Sequence, residues 1–365
     1  MGIKFEFLEA GYGDSILIST DEGTNILIDG GLIPTAKIIK KRVNKLKKKN
    51  KLDLVVLTHI DNDHICGLIA LLREKNKIKI NKLWFNSANL KVSKESSEKA
   101  GGQAIHFEKL IKNNGIIYSN NIYLENKNKS YCINKDIELK LLSPIKEDVK
   151  ELNKNWKNED EVHCNGIKVE KNSQLSIDTR EIEKVEQDFS IELKDLENKE
   201  ITQNDTPENQ SSIAFILKYQ DKEFLFLADA NIGIINQSLR RLGYSKNNPL
   251  KVEFVKLSHH GSKNNINHEF LKLVDTEKYI TLTNGNKFKH PSKETLSLII
   301  MKHHFANKSL SLYFNYKDFF KKKFMDGEDE NDVAIMWSER RIDTKFSEIE
   351  KKYNFKAIYN SIMEY

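Results

Sequence analysis

Short apolar runs separated by glycine and acidic residues open the chain. Phe5-Glu6-Phe7-Leu8, Ser15-Ile16-Leu17-Ile18 and Asn25-Ile26-Leu27-Ile28 have the length and composition of strands. Gly11, Gly13, Asp14, Gly23 and Asp29-Gly30-Gly31 mark the turns between them. Over residues 35–50 the period changes: Ile39, Val43 and Leu46 fall at i, i+4 and i+7, one stripe of a helix whose other positions are rich in lysine and arginine. Leu54-Val55-Val56-Leu57 predicts a buried strand, followed by a helix over Ile65–Lys75, a strand around Leu83-Trp84-Phe85 and a helix from about Glu95 to Asn113. Ile137–Leu141 alternates strictly, the pattern of a half-buried strand.

Residues 145–208 break this rhythm. They hold 18 acidic against 10 basic residues and few long apolar runs, a net of −8 that leaves +14 on the rest of a chain whose total is +6. The segment predicts a charged surface insertion or lid. Beyond it, Ser212–Leu217 and Phe224–Leu227 predict a hairpin around Gln220-Asp221. The helix Ile232–Leu242, the strand Val252–Leu257, a helix near His268–Val274 and the strand Tyr279–Thr283 follow. The helix Lys293–His303, the strands Leu310–Phe314 and Val333–Trp337 and a mixed-charge C-terminal helix complete the pattern. Strands and helices alternate on both sides of the insertion, which predicts a layered α/β fold.

Composition narrows the picture. The chain has 365 residues, 39% hydrophobic and 31% charged, enough for one large layered domain with an insertion. A net charge of +6 does not by itself call for nucleic acid. Cys66, Cys132 and Cys164 are odd in number and widely spaced, which excludes a disulfide framework and fits a reducing compartment. No run approaches the roughly 18 apolar residues of a membrane helix, and no signal-peptide pattern opens the chain. The expectation is a cytoplasmic protein that does not engage a membrane.

The chemistry concentrates in Thr58-His59-Ile60-Asp61-Asn62-Asp63-His64, directly after a predicted strand. Imidazole and carboxylate at this density suit zinc, manganese or iron. A polar turn that caps the following helix would account for Asp and Asn but does not ask for two histidines. Other predicted strands end in Asp29, in Asp229, in His259-His260 and near His290, so polar metal-type residues arrive at strand ends from both halves of the chain. His106 sits on a predicted helix beside Phe107 and Ile111, and His163-Cys164 lie in the acidic insertion. Packing or surface roles suit both better than ligation.

At these positions the sequence resembles the metallo-β-lactamase superfamily, and within it the hydrolase domain of the ComEC-type DNA-uptake competence proteins, here stand-alone and without a membrane channel. The matching stretches are Phe7-Leu8-Glu9-Ala10-Gly11-Tyr12-Gly13-Asp14, Leu27-Ile28-Asp29-Gly30-Gly31 and Leu57–Gly67. Asn209-Gln210-Ser211-Ser212, Leu227-Ala228-Asp229-Ala230, Lys256–Ser262 and Asn286–Pro291 follow in the same order. The resemblance implies an αββα sandwich over residues 1–304, with the insertion 145–208 and a C-terminal extension 305–365 packed on or beside it. It implies one or two divalent ions, zinc or manganese. His59 and Asp61 would hold one, Asp63 and His64 the other, with Asp229 bridging and one of His259 and His260, preferably His260, completing the second position. Asp29 would orient a ligand imidazole. His290, with Asn286, would sit over the leaving or phosphoryl oxygen, and Asp63, His259 and His290 are the catalytic candidates. The sequence departs from the wider superfamily in having Asp61 where histidine is usual, and in showing no third separate histidine for the first ion.

The activity implied is metal-dependent hydrolysis of a phosphodiester through a hydroxide generated at neutral pH, with DNA or RNA as substrate. Two alternatives stand beside it. One is hydrolysis of a small phosphodiester or other ester, such as a cyclic nucleotide or a phosphocholine ester. The other is a non-catalytic binding module with a vestigial site. A partner protein would dock through the insertion or the C-terminal extension.

Overall fold

Strict alternation explains how the strands are used. On β1 (Ile3–Phe7) residues Ile3, Phe5 and Phe7 join an inner cluster; on β2 (Ile16–Thr20) Ile16 and Ile18 do so, while Leu17 turns to an outer one. β3 (Asn25–Ile28) and β5 (Leu54–Val56) repeat the split, with Ile26, Ile28, Leu54 and Val56 inward and Leu27 and Val55 outward. Both faces of β3 and β5 are covered, so these two read as nearly continuous apolar runs. β7 (Leu83–Trp84) and β8 (Tyr118–Ser119) complete one side of this sheet, and β19 (Ile362–Glu364) pairs with β1 on the other, giving the order β19-β1-β2-β3-β5-β7-β8.

The second sheet has eight strands, built from β9 (Ser130–Cys132), β10 (Ile137–Ser143), β11 (Ala214–Tyr219), β12 (Lys222–Phe226), β14 (Val255–Lys256), β16 (Lys278–Thr281), β17 (Leu310–Phe314) and β18 (Phe355–Tyr359). Its order is β18-β17-β16-β14-β12-β11-β10-β9. Two short parallel ladders, β4 (Lys51–Leu52) with β6 (Lys79–Ile80) and β13 (Leu250–Lys251) with β15 (Val274–Asp275), lie outside the two sheets. The computed structural model describes residues 2–74, 78–86, 99–125, 130–155, 192–196, 206–316, 324 and 339–365.

Between the sheets lies an aromatic-rich core: Phe5 meets Phe224 at 4.6 Å and Phe254 at 5.0 Å between ring centroids. Burying each such ring contributes about 1.5–3 kcal/mol. Helices cover the outer faces. Those at Thr35–Val43, Asn62–Arg73 and Lys99–Asn113 lie on the first sheet, and those at Ile232–Arg241, His268–Leu273 and Lys293–Phe305 on the second. This is an αββα sandwich.

Topology places the site. β3, β5 and β7 run parallel, as do β12, β14 and β16, so the carboxyl ends of each group emerge at one edge. Asp29 follows β3, residues 58–64 follow β5, Asp229 follows β12, and His259-His260 follow β14.

Several elements differ from expectation. The helix predicted from Ile65 begins at Asn62, because the N–H groups of His64 and Ile65 already bond to Asp61 O at 2.9 and 3.0 Å; Asp63 and His64 therefore sit in its first turn. The strand expected over Val252–Leu257 narrows to Val255–Lys256. The C-terminal helix is Glu339–Tyr353, and β18 and β19, which follow it, carry no periodicity long enough to read. The boundary placed at 304 falls just before β17, which pairs with β16 inside the second sheet. Of the acidic insertion, the helices Lys146–Asn155, Leu193–Leu196 and Pro207–Gln210 are described, with Leu152, Leu193 and Leu196 buried. His163, Cys164 and the predicted strand Val333–Trp337 lie outside the described residues. Among the described residues no helix is long and apolar enough to cross a membrane.

Candidate metal centre

Asp29 organises one wall of the site. At the end of β3 it takes a left-handed conformation (φ 56°) and donates its N–H to Val56 O at 2.8 Å. Its carboxylate accepts the Thr58 N–H and the Thr58 hydroxyl, both at 2.7 Å, and lies 2.9 Å from Nδ1 of His64. With Nδ1 committed to Asp29, Nε2 of His64 presents its lone pair to the centre. The glycines of this region permit the approach. A Cβ on Gly67 would lie 1.9 Å from Gly30 O, and one on Gly13 would lie 1.9 Å from Asp63 O.

His59 is fully buried, its Nδ1 3.1 Å from the Thr58 hydroxyl and its Nε2 3.6 Å from Asp61 Oδ2. Asp61 occupies the N-cap of the following helix but makes no side-chain capping hydrogen bond, so its carboxylate is not held by the helix. Asp229, after β12, lies at the middle. Its Oδ2 is 3.8 Å from His59 Nε2, 3.7 Å from His64 Nε2, 3.8 Å from His259 Nε2 and 3.9 Å from His260 Nε2.

His259 and His260 both adopt positive φ, 46° and 53°, which sends successive side chains into the site. They are not equivalent. His260 is buried, with Nε2 3.2 Å from Asp63 Oδ2 and Nδ1 2.9 Å from Leu282 O. The His259 side chain is 28% exposed and faces the ring of His290, 5.5 Å away between centroids. His59, His64 and Asp229 form one group whose ligand atoms lie within 4.8 Å of one another, and Asp63, His64 and His260 form a second.

Three atoms test whether a cation fits. Nε2 of His59, Nε2 of His64 and Oδ1 of Asp229 are buried without a hydrogen-bond partner. Orphaned buried groups of this kind are costly, and cations held among these side chains would satisfy them. The charge balance agrees. Burial works against ionisation of Asp63, yet His64 and the hydrogen bond from His260 hold its carboxyl well below the ordinary range. Burial opposes a charged His64 too, but Asp229, Asp29 and Asp63 push its pKa up to about 10. His260 moves upward against its own burial because Asp14 and Asp229 flank it. The carboxylates thus demand positive charge, which divalent ions supply while leaving the histidines neutral.

His290 behaves differently. Burial, then the neighbouring His259 and His260, hold its pKa well below the usual imidazole value, and its buried Nδ1 has no hydrogen-bond partner. Asn286 is exposed on the same loop; its N–H donates to Asn284 Oδ1 at 3.1 Å, and no described hydrogen bond joins its side chain to His290. His106 pairs with Arg73, whose Nε lies 3.1 Å from His106 Nε2, on the helical layer rather than in the site.

Three arrangements inside the stretches named above carry no local mark in the sequence beyond their residue types. Lys256, 1% exposed, ion-pairs with the buried Asp14, whose other oxygen is 3.1 Å from His260 Nδ1. A lone lysine inside the apolar run before His259 was the available signal. Thr58 couples Asp29 to His59 through its hydroxyl. Asn209 and Ser212 are buried, with Asn209 Oδ1 and Ser212 Oγ lacking hydrogen-bond partners, and the next residue, Ile213, donates its N–H to Thr58 O at 2.9 Å.

A protein-family model, Metallo-beta-lactamase superfamily, matches residues 8–82, the stretch that carries Asp14, Asp29 and residues 59–64. Among solved structures the chain is similar to CmlA, a diiron beta-hydroxylase from Streptomyces venezuelae, at 11% identity and TM-score 0.37, covering 100% of this chain and 54% of that one. It is similar to Zn(2+)-bound PqqB from Methylobacterium extorquens at 9% identity and TM-score 0.42, covering 100% and 99%. It is also similar to a long form RNase Z from yeast at 10% identity and TM-score 0.34, covering 70% and 32%. The chain spans about half the length of the CmlA it matches. No curated protein matches it. Residues 8–82 are similar to the metallo-β-lactamase superfamily, and the two stacked sheets between helical layers form an αββα sandwich of the kind that this likeness implies.

Proposed function

We propose that the protein is a metal-dependent phosphodiesterase acting on DNA or RNA. The observation that carries this reading is the convergence of His59, His64 and Asp229 from both halves of the chain, with Nε2 of each histidine buried and without a hydrogen-bond partner. His59 and Asp61 would hold one ion; Asp63, His64 and His260 would hold the second, with Asp229 between them. Divalent ions so held lower the pKa of a coordinated water and offset charge on a phosphoryl group.

The chain's own groups do the rest. Asp29 fixes the tautomer of His64 through Nδ1, and Leu282 O does the same for His260. Asp63 is the carboxylate placed to accept a proton from the attacking nucleophile. His290, kept neutral by burial, presents Nδ1 for a hydrogen bond at the leaving or phosphoryl oxygen. His259, partly exposed beside His290, faces substrate. The polymer preference rests on the ComEC-like order of motifs and on the +14 charge of the chain outside residues 145–208.

The test begins with metal content. Purified protein is expected to hold at least one transition ion that Asp63→Ala/His64→Ala loses, and to hydrolyse bis-p-nitrophenyl phosphate, single-stranded DNA or RNA with manganese or zinc. Failure to take up metal under any loading condition would sink the reading.

A further inference from the structure

Beside the candidate metal centre lies a group of aromatic and basic side chains. Phe288 is 38% exposed, one of three large apolar side chains so exposed among the described residues. It stacks on His290, with centroids 6.1 Å apart and planes 26° from parallel, and His290 in turn faces His259 at 5.5 Å. Tyr12 meets Phe288 edge-on at 5.8 Å. Tyr12 precedes Gly13, whose backbone packs against Asp63, so the aromatic pair lies beside the candidate ligands. The Lys287 ammonium lies 4.8 Å from the Tyr12 ring and 4.5 Å from the Phe288 ring.

Resting on the phosphodiesterase reading, we propose that Tyr12, Phe288 and Lys287 form a subsite for an unpaired nucleobase and its phosphate, next to the phosphodiester being cleaved. The preferred substrate is then single-stranded nucleic acid. His290 stacks on Phe288 and the Lys287 ammonium lies over its ring, so a base on Phe288 would take the place of the ammonium, which is then free for the flanking phosphate. A base held in a duplex is already stacked on its neighbours and cannot lie on such a ring.

Three chromogenic esters share the p-nitrophenyl leaving group and test the subsite: the thymidine 5′-phosphate ester, the methyl phosphate ester and p-nitrophenylphosphorylcholine. The ratio of kcat/KM for the thymidine ester over the methyl ester is expected to fall roughly five- to a hundredfold in Phe288→Ala, the range that base stacking on an aromatic side chain gives. Phe288→Trp should keep it. Because Phe288 also props His290, a loss common to both esters cancels in the ratio; an unchanged ratio would overturn the subsite, as would preference for the choline ester. Direct binding separates this from a failed hydrolase reading. A single-stranded oligonucleotide carrying 2-aminopurine should be quenched on binding, less so with Phe288→Ala, even if no ester is turned over. Equal quenching by both proteins, or preference for the duplex form, would refute the proposal.

Discussion

Asp29 stands 2.9 Å from Nδ1 of His64 while holding Thr58 by both its N–H and its hydroxyl. One carboxylate thus joins the end of β3, the end of β5 and the first turn of the following helix. Removing such an outer partner typically costs 10–100-fold in metal affinity. Asp29→Ala is therefore expected to weaken metal retention by about that factor in chelator competition. Retention equal to wild type would show that Asp29 is only a structural link.

Asp229 has the broader role, since its Oδ2 lies within 3.7–3.9 Å of a nitrogen on four histidines. Asp229→Asn removes the charge at nearly constant volume. Metal analysis is expected to find fewer ions per chain, and hydrolysis to fall by more than the roughly 10–100-fold of an outer partner. Wild-type stoichiometry in this variant would contradict the bridging position.

The Lys256–Asp14 pair makes a stability prediction. Breaking a buried pair by removing one partner strands the other charge and costs about 3–5 kcal/mol. Lys256→Met is expected to lose about that much in denaturant unfolding, and Asp14→Asn/Lys256→Met to recover part of it. Additive losses would mean that the two side chains act separately.

Lys302 lies away from the site, and its amine donates to Val274 O at 3.1 Å. Burial brings its pKa down to about 8, against the upward pull of Asp275. The unfolded chain therefore binds more protons than the folded one between pH about 8 and the ordinary lysine value of about 10.5. Stability from this group is depressed below pH 8 and rises through that window. Lys302→Gln should flatten the rise. A pH profile identical to wild type would exclude Lys302 as its source.

Much of this was legible because both sheets are buried on two faces. Runs such as Leu54–Leu57 and Phe224–Leu227 are apolar throughout, and each leads into polar residues at its carboxyl end. Asp229 and His259-His260 were readable for that reason. What was not readable depends on pairing across the chain. Lys256 finds Asp14 at a separation of 242 residues, and no local pattern records such a partner. β18 and β19 are five and three residues long, too short for a period to declare itself. The start of the helix at Asn62 was missed because its first turn is made of the proposed ligands themselves, which suggest a turn rather than a helix.

The pairing of β19 with β1 and of β18 with β17 gives the last stretch of chain a protective duty. Along with β17, these strands occupy hydrogen-bonding edges that would otherwise face solvent. A chain cut after Phe305 would bare the edge of β1 in one sheet and of β16 in the other, both lined by buried apolar side chains. Unpaired edges of that kind invite a strand from another molecule. What such a cut puts at risk first is the protein's resistance to self-association.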